Sequence, residues 1–163
     1  MPHHTFQTWC TPDCAVAIVR AKGVRDSKKA KRRMLDQIKT RSEWMDDAQK
    51  AFNAWVRERD YGLGCISCGK RAGQMQAGHY RSVGACPALR FNPMNCHVQC
   101  VPCNKYKSGN QIEYRISLVK RIGVNLVEWL ESEHQPNKYT IEEIKEIKTR
   151  YSKLARELKK ARS

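Results

Sequence analysis

Two Cys-x-x-Cys pairs, Cys65–Cys68 and Cys100–Cys103, constrain this chain more than any other feature. Four thiolates satisfy one tetrahedral Zn²⁺, and each two-residue spacer lets both sulfurs of a pair reach the same ion. The pairs lie 31 residues apart, which is more than the roughly 15–20 residues of a simple zinc ribbon. The spacing therefore predicts a structural zinc site that encloses a functional segment.

The charge of the chain indicates a polyanionic partner. The 163 residues carry a formal net charge of +15, and nucleic acid is the first candidate because each neutralised phosphate releases counterions. Eight cysteines would also suit a disulfide-rich secreted protein. The first residues begin no apolar run typical of a signal peptide, and no stretch approaches a membrane span. We therefore expect reduced, metal-binding thiols in a cytoplasmic protein, with disulfide pairing as the alternative.

The segment between the cysteine pairs contains residues suited to phosphodiester hydrolysis. His79 follows Gly78, Asn95 comes later, and Asn104 directly follows the last cysteine. A histidine can activate water because its pKa lies near neutral pH. An amide can orient such a site without adding charge, and an amide oxygen can reach Mg²⁺. A zinc site at Cys103 would fix the position of Asn104.

The order of these residues resembles the HNH endonuclease superfamily, with Asn104 at the third position. The stretches AGHYRSVG (77–84), LRFN (89–92), QCVPCN (99–104) and KSGN (107–110) resemble the phage lambda NinG (Rap) recombination family over about residues 42–163. The resemblance implies an α+β fold with a treble-clef-like ββα-metal core and a four-cysteine zinc clip, flanked by helices. It also implies a structure-specific DNA endonuclease that cuts branched DNA, such as Holliday junctions and D-loops, with Mg²⁺ or Mn²⁺.

Carried over by position, His79 would be the general base and would also bind the catalytic metal, Asn95 would orient the loop around it, and Asn104 would bind the catalytic metal. Members of the superfamily often place an acid or a second histidine before the base, where this chain has Gly78. Other residues could supply that ligand, and basic residues nearby would contact phosphates. The candidate ligands are Asp46, Asp47, His97 and Glu113, and the candidate phosphate contacts are Arg81, Arg90, Lys105, Lys107 and Arg115.

The flanking segments divide the chain into three predicted parts. Residues 1–41 form a basic N-terminal arm, mobile or helical, in which Cys10 and Cys14 resemble half of a zinc knuckle. His3 and His4, or a missing segment, could complete this knuckle; two unpaired thiols are the alternative. Residues 42–135 form the nuclease core, and residues 136–163 form a basic amphipathic helix.

Capping boxes at 40–43 and 140–143 predict helix starts. Apolar residues at 3–4-residue spacing predict the inward faces of three helices. After the first box, a helix to about Arg59 has an apolar stripe of Trp44, Ala48, Ala51, Phe52, Trp55 and Val56. After the second box, the C-terminal helix has a stripe of Ile141, Ile144, Ile147, Tyr151, Leu154 and Leu158. For the helix over residues 111–121 the same spacing places Ile112, Ile116, Val119 and Ile122 inward. The C-terminal helix would either pack on the core or form the seam of a homodimer. A non-catalytic zinc-dependent DNA-binding module and a nuclease specific for duplex DNA are the alternative functions.

Overall fold

The computed structural model describes residues 9–162, and these residues form a helix-rich α+β structure with one two-stranded sheet. The helices are α1 (Pro12–Ile38), α2 (Arg41–Arg59), α3 (Gln111–Ile122), α4 (Val124–Glu131) and α5 (Ile141–Arg162). The strands are β1 (Met75–His79) and β2 (Cys96–Cys100), and a π-helical turn over Pro102–Tyr106 follows β2. None of the helices in this described part combines the length and apolar character that a bilayer crossing requires.

The chain divides into two compact units, residues 1–40 and 41–163. Helix α1 lies in the first unit and buries none of its residues. It begins where the Thr11 hydroxyl accepts a hydrogen bond from the Cys14 N–H at 3.2 Å and Pro12 occupies the first turn. Within the described residues, the basic arm is therefore helical over Pro12–Ile38. The knuckle proposed for His3 and His4 lies outside the described residues.

The second unit is built on the packing of α2 against α5. The predicted stripe of α2 is confirmed, since Trp44, Ala48, Phe52 and Val56 are buried. Helix α5 buries Ile144 and Tyr151 in the same cluster. Its stripe thus packs on the core within one chain, and a dimer through this helix stays a prediction. The capping box of α5 forms as expected, because the Thr140 hydroxyl accepts from the Glu143 N–H and the Glu143 carboxylate accepts from the Thr140 N–H.

The sheet is an antiparallel pair in which Gly78 lies opposite His97 and His79 lies opposite Cys96. Alternate residues of a strand point to opposite faces. One face, with His79 and Cys96, lies against α2; the other, with Gly78 and His97, lies against Tyr114 of α3. The sheet thus separates the two helical layers.

The prediction for the inward face of α3 is wrong at Ile112 and Ile116, which are 77% and 48% exposed. The helix buries Tyr114 and Leu118 instead. The Tyr114 hydroxyl donates to the Gly78 carbonyl at 3.0 Å and lies 3.2 Å from His97 Nδ1. The Tyr114 hydroxyl, with its hydrogen-bond partners inside the core, thus sets the orientation of α3. A pattern of apolar residues cannot reveal this.

Candidate functional site

Four cysteines form a cluster that could hold a metal ion. The sulfur atoms of Cys65, Cys68, Cys100 and Cys103, the four-cysteine cluster, all lie within 4.8 Å of one another. The sulfurs of Cys68 and Cys100 are 3.7 Å apart. Tetrahedral Zn²⁺ with Zn–S bonds of about 2.3 Å would place its sulfurs roughly 3.8 Å apart, so the cluster fits structural zinc. All eight cysteines are free thiols, which agrees with the expectation of metal-binding rather than disulfide-bonded cysteines.

The thiols of this cluster titrate unequally. Burial raises the pKa of Cys65, but the backbone N–H groups of Cys100, Cys68 and Ser67 outweigh it and lower the pKa to about 7. Burial and the neighbouring thiols raise the pKa of Cys103 to about 12. Four adjacent thiolates repel one another, so only a bound cation would hold all of them deprotonated.

The backbone around the cluster follows from its glycines and its turns. Gly69, at φ +72°, turns the chain after the first pair, and its N–H donates to the Cys65 carbonyl at 2.8 Å. After the second pair, the Gly109 N–H donates to the Cys103 carbonyl at 2.9 Å. The Asn110 side chain donates to the Cys103 sulfur at 3.7 Å. The two bonds to Cys103 connect the π-helical turn that carries Asn104 to the chain that follows it.

The space in front of Gly78, where a larger residue would place its side chain, is occupied by the amide groups of Gln99 and Asn104. A Cβ there would lie 2.0 Å from Gln99 Oε1 and 3.0 Å from Asn104 Oδ1. Gln99 is fully buried, and its Nε2 donates to Ser67 Oγ at 2.7 Å and to the Gly109 carbonyl at 2.6 Å. Its Oε1 has no conventional hydrogen-bond partner among the described residues, which leaves the Cα–H of Gly78 pointing at it. The missing acid at this position therefore reflects space already occupied by Gln99.

Asn104 lies half-buried beside the first strand. Its amide Nδ2 donates to Gln76 Oε1 at 2.8 Å, which directs Oδ1 towards Gly78. Asn104 also lines a cleft of about 530 Å³ that extends along β1 to α2. The side chain is thus fixed at a solvent-accessible surface by the turn after the four-cysteine cluster.

His79 is held by a backbone carbonyl. Its Nε2 lies 2.8 Å from the Arg90 carbonyl oxygen, so this nitrogen carries the proton and donates. The lone pair is then on Nδ1, which lies 3.8 Å from the Cys96 sulfur. Burial lowers the pKa of His79, and the nearby Arg90 charge acts in the same direction against the opposing hydrogen bond. The ring is therefore neutral at neutral pH and can accept a proton at Nδ1.

Asn95 fixes the loop that joins His79 to Arg90. It is fully buried; its Oδ1 accepts from the Arg81 N–H at 2.8 Å, and its Nδ2 donates to the carbonyls of Arg81 and Leu89 at 2.9 and 3.2 Å. The loop ends at the carbonyl that receives the His79 hydrogen bond. Asn95 thus contacts the backbone around His79 rather than the ring itself.

The predicted phosphate contacts fall into two groups. Arg81 donates to the Leu130 and Glu131 carbonyls at 3.2 and 2.8 Å, at the end of α4, and Arg115 pairs with the Glu131 carboxylate at 2.7 Å. Arg90 is half-buried and donates to Gln49 Oε1 at 3.5 Å. Lys105 and Lys107 are exposed, and their side chains form no hydrogen bond or ion pair with residues 9–162. Of the five predicted phosphate contacts, only these two lysines have side chains without a partner among residues 9–162, and both follow Asn104 closely in the chain.

The candidate acidic ligands do not gather around Asn104. Asp47 pairs with Lys148 at 3.0 Å, whereas Asp46 and Glu113 are exposed on α2 and α3. His97 is buried, and burial lowers its pKa to about 3. Within residues 9–162 the four-cysteine cluster is the one group of three or more His, Cys, Asp or Glu side chains close enough to share a metal.

Sequence reasoning missed two residues of α2 that line the cleft with Asn104. Asn53 and Arg57 both face it, and Arg57 is exposed and unpaired within the described chain. Their spacing of four residues on one helix face was the available signal. The apolar stripe of α2 predicts only that the helix packs on the core, and it gives no role to the polar face that carries Asn53 and Arg57.

Comparisons with known proteins agree over the whole chain. A family profile described as "Bacteriophage Lambda NinG protein" matches residues 1–161. Protein ninG of Escherichia phage lambda is 42% identical over 99% of this chain and 89% of its own length. Protein ninG of Salmonella phage P22 is 41% identical, and that of Escherichia phage 933W is 39% identical, with 99% of this chain covered in each case. No solved structure matches. The chain belongs to the NinG family of bacteriophage proteins.

Proposed function

We propose that this protein is a metal-dependent, structure-specific DNA endonuclease of the HNH superfamily that cuts branched recombination intermediates such as Holliday junctions and D-loops. The hydrogen bond from His79 Nε2 to the Arg90 carbonyl is the observation that carries the proposal. It fixes the tautomer with the lone pair on Nδ1, which a general base needs in order to take a proton from water. The lowered pKa keeps the base neutral at neutral pH.

The remaining parts of the site support binding and positioning. Asn95 holds the loop that carries the Arg90 carbonyl, and Asn104 presents an amide oxygen at the cleft. Lys105 and Lys107 add positive charge beside Asn104, in line with the net charge of +15. A branched DNA substrate in the cytoplasm of the bacterial host would suit this charge and the phage family.

One Zn²⁺ in the four-cysteine cluster would be structural, because all four of its positions are taken by protein sulfurs. We expect one equivalent of zinc in protein purified without chelator, and its complete absence would refute this assignment. For a catalytic Mg²⁺ or Mn²⁺, the candidate donors in the cleft are the amide oxygens of Asn104 and Gln76, which both line it. Such an ion would take its anionic ligands from DNA phosphates, so we expect tight binding of Mn²⁺ only when DNA is present.

Cleavage of a labelled four-way junction in Mg²⁺ or Mn²⁺ tests the proposal. We expect His79→Ala to lose at least 100-fold in cleavage rate while it retains junction binding. His134→Ala is the matched control, since His134 Nε2 also lies near a backbone carbonyl, Trp129 O at 2.9 Å, but in an exposed hydrogen bond after the end of α4. It should cut like the wild type. If the wild type cuts neither junctions nor linear duplexes in either metal, the nuclease proposal fails.

Among the described residues, those that line the cleft of Asn104 include no Asp or Glu, which favours a second candidate, a zinc-dependent DNA-binding module without catalysis. This candidate predicts junction binding that depends on zinc, no cleavage, and equal affinity for the wild type and His79→Ala. Equal cleavage of junctions and linear competitor DNA would instead indicate a nuclease acting on duplex DNA.

A further inference from the structure

Two clefts meet at the first residue of β1 and form one groove. The cleft that contains Asn104, of about 530 Å³, and a second one of about 460 Å³ share Arg57 and Met75 in their walls. The second cleft continues past Tyr61, at the end of α2, and Arg71, in the loop after the first cysteine pair. A ligand bound at Asn104 that extends past Met75 would therefore enter the second cleft.

The charges in the groove leave two guanidinium groups unpaired. Arg57 and Arg71 are exposed and form no ion pair within residues 9–162. The acids in the same wall are already neutralised. Glu58 lies 2.6 Å from Arg162, in an ion pair without hydrogen-bond geometry, and the buried Asp60 carboxylate accepts from Arg59 at 2.8 Å. The groove therefore carries a surplus of positive charge that suits a chain of phosphates.

The position of Arg71 is built into the cysteine-bearing loop. A Cβ on Gly64 would lie 3.0 Å from Arg71 Cγ and 2.8 Å from the Gly69 carbonyl oxygen. Gly64 also has a φ of +79°, which favours glycine. The aliphatic part of Arg71 thus lies against the bare backbone of Gly64, and its head group reaches the groove from a loop that the four-cysteine cluster fixes.

We propose that the groove of Arg57 and Arg71 binds the sugar-phosphate backbone of one DNA strand, on the side of the scissile phosphate that extends from Asn104 along β1. Arg57 contacts a phosphate near the cut and Arg71 one further along the same strand. A guanidinium group donates two hydrogen bonds to one phosphate, so each contact fixes direction as well as charge. The identity of the ligand as DNA rests on the proposed function; the position and the charge of the groove do not.

Binding of a fluorescein-labelled four-way junction tests the groove without cleavage. The zinc-loaded full chain is titrated by anisotropy in Mg²⁺-free buffer at several salt concentrations. We expect Arg57→Gln and Arg71→Gln each to weaken binding about 3- to 10-fold and to reduce the salt slope by about 0.7–0.9. The control Arg156→Gln removes the same charge from the exposed face of α5, where Arg156 donates to the Ser152 carbonyl, and should change affinity less than about 2-fold. Groove variants that bind like this control overturn the inference.

Single methylphosphonates, which remove one phosphate charge at a time, test the assignment to a strand. We expect a methylphosphonate next to the cut to weaken DNA binding by the wild type but not by Arg57→Gln. A methylphosphonate further along the same strand should weaken binding by the wild type but not by Arg71→Gln. If no position shows this pairing, the groove does not track a strand. If groove variants bind normally while the wild type cuts junctions, this inference fails and the proposed function stands. If the wild type binds no DNA, both fail.

Discussion

Gly78→Ala adds a single methyl group, and the structure predicts that this substitution strongly lowers the free energy of unfolding. The new methyl group would lie 2.0 Å from Gln99 Oε1, far inside contact distance, so Gln99 must move. Its movement breaks the hydrogen bonds to Ser67 and to the Gly109 carbonyl. Each lost bond costs about 0.5–1.5 kcal/mol, and forcing a methyl group into a packed interior costs about 1–3 kcal/mol. We therefore expect a loss of about 2–6 kcal/mol in the free energy of unfolding.

Chemical denaturation of the zinc-loaded protein, followed by tryptophan fluorescence, measures this loss. Gly84→Ala is the matched control, because a Cβ there has nothing within 4 Å, and we expect a change within about 0.5 kcal/mol. In a Gln99→Ala background the obstacle is gone, so Gly78→Ala should cost less than about 1 kcal/mol. If Gly78→Ala behaves like Gly84→Ala, or costs the same in both backgrounds, Gln99 does not occupy this space and our explanation of the missing acid is wrong.

Three further predictions concern acid stability, Arg81 and zinc. Burial lowers the pKa of His97 in the folded protein to about 3, so His97 takes up a proton more readily in the unfolded chain. The free energy of unfolding should therefore fall as the pH falls from about 6.5 towards 3, by at most about 1.4 kcal/mol per pH unit. Urea unfolding at several pH values should show that His97→Gln flattens this part of the curve. Arg81→Ala should lower the unfolding free energy by about 1–3 kcal/mol through its two lost carbonyl contacts, and change junction affinity less than about 2-fold; a normal stability with weakened binding would contradict this. Cys103→Ser should lower zinc content and thermal stability together, and a stable zinc-free variant would show that the cluster does not support the fold.

The features predictable from the sequence were those with local signals. Periodic apolar residues located α2 and α5, and the pair Thr140 and Glu143 located the start of a helix, because both depend on neighbours within one or two turns. The two cysteine pairs predicted one cluster because their spacing limits which sulfurs can meet. In each case the interacting residues are close in sequence, or their chemistry has few alternatives.

The features that the sequence concealed depend on contacts between distant residues. Ile112 and Ile116 point outward because Tyr114 finds polar partners on β1 and β2. Arg81 binds the end of α4, about fifty residues later in the chain, which a count of basic residues cannot show. No pattern in the sequence shows that the amide of Gln99 occupies the space in front of Gly78.

The two halves of the candidate site are held by separate hydrogen-bond networks on opposite faces of the sheet. On one face, Asn95 fixes the loop whose Arg90 carbonyl orients His79. On the other, Gln99 joins the loop of the first cysteine pair, through Ser67, to the Gly109 carbonyl behind the turn of Asn104. The cysteines therefore bear directly on Asn104 and only indirectly on His79. Because Gly78 and His79 are adjacent in β1, the strand itself sets the distance between the two halves, and the tight fit of Gln99 against Gly78 links the four-cysteine cluster to that strand.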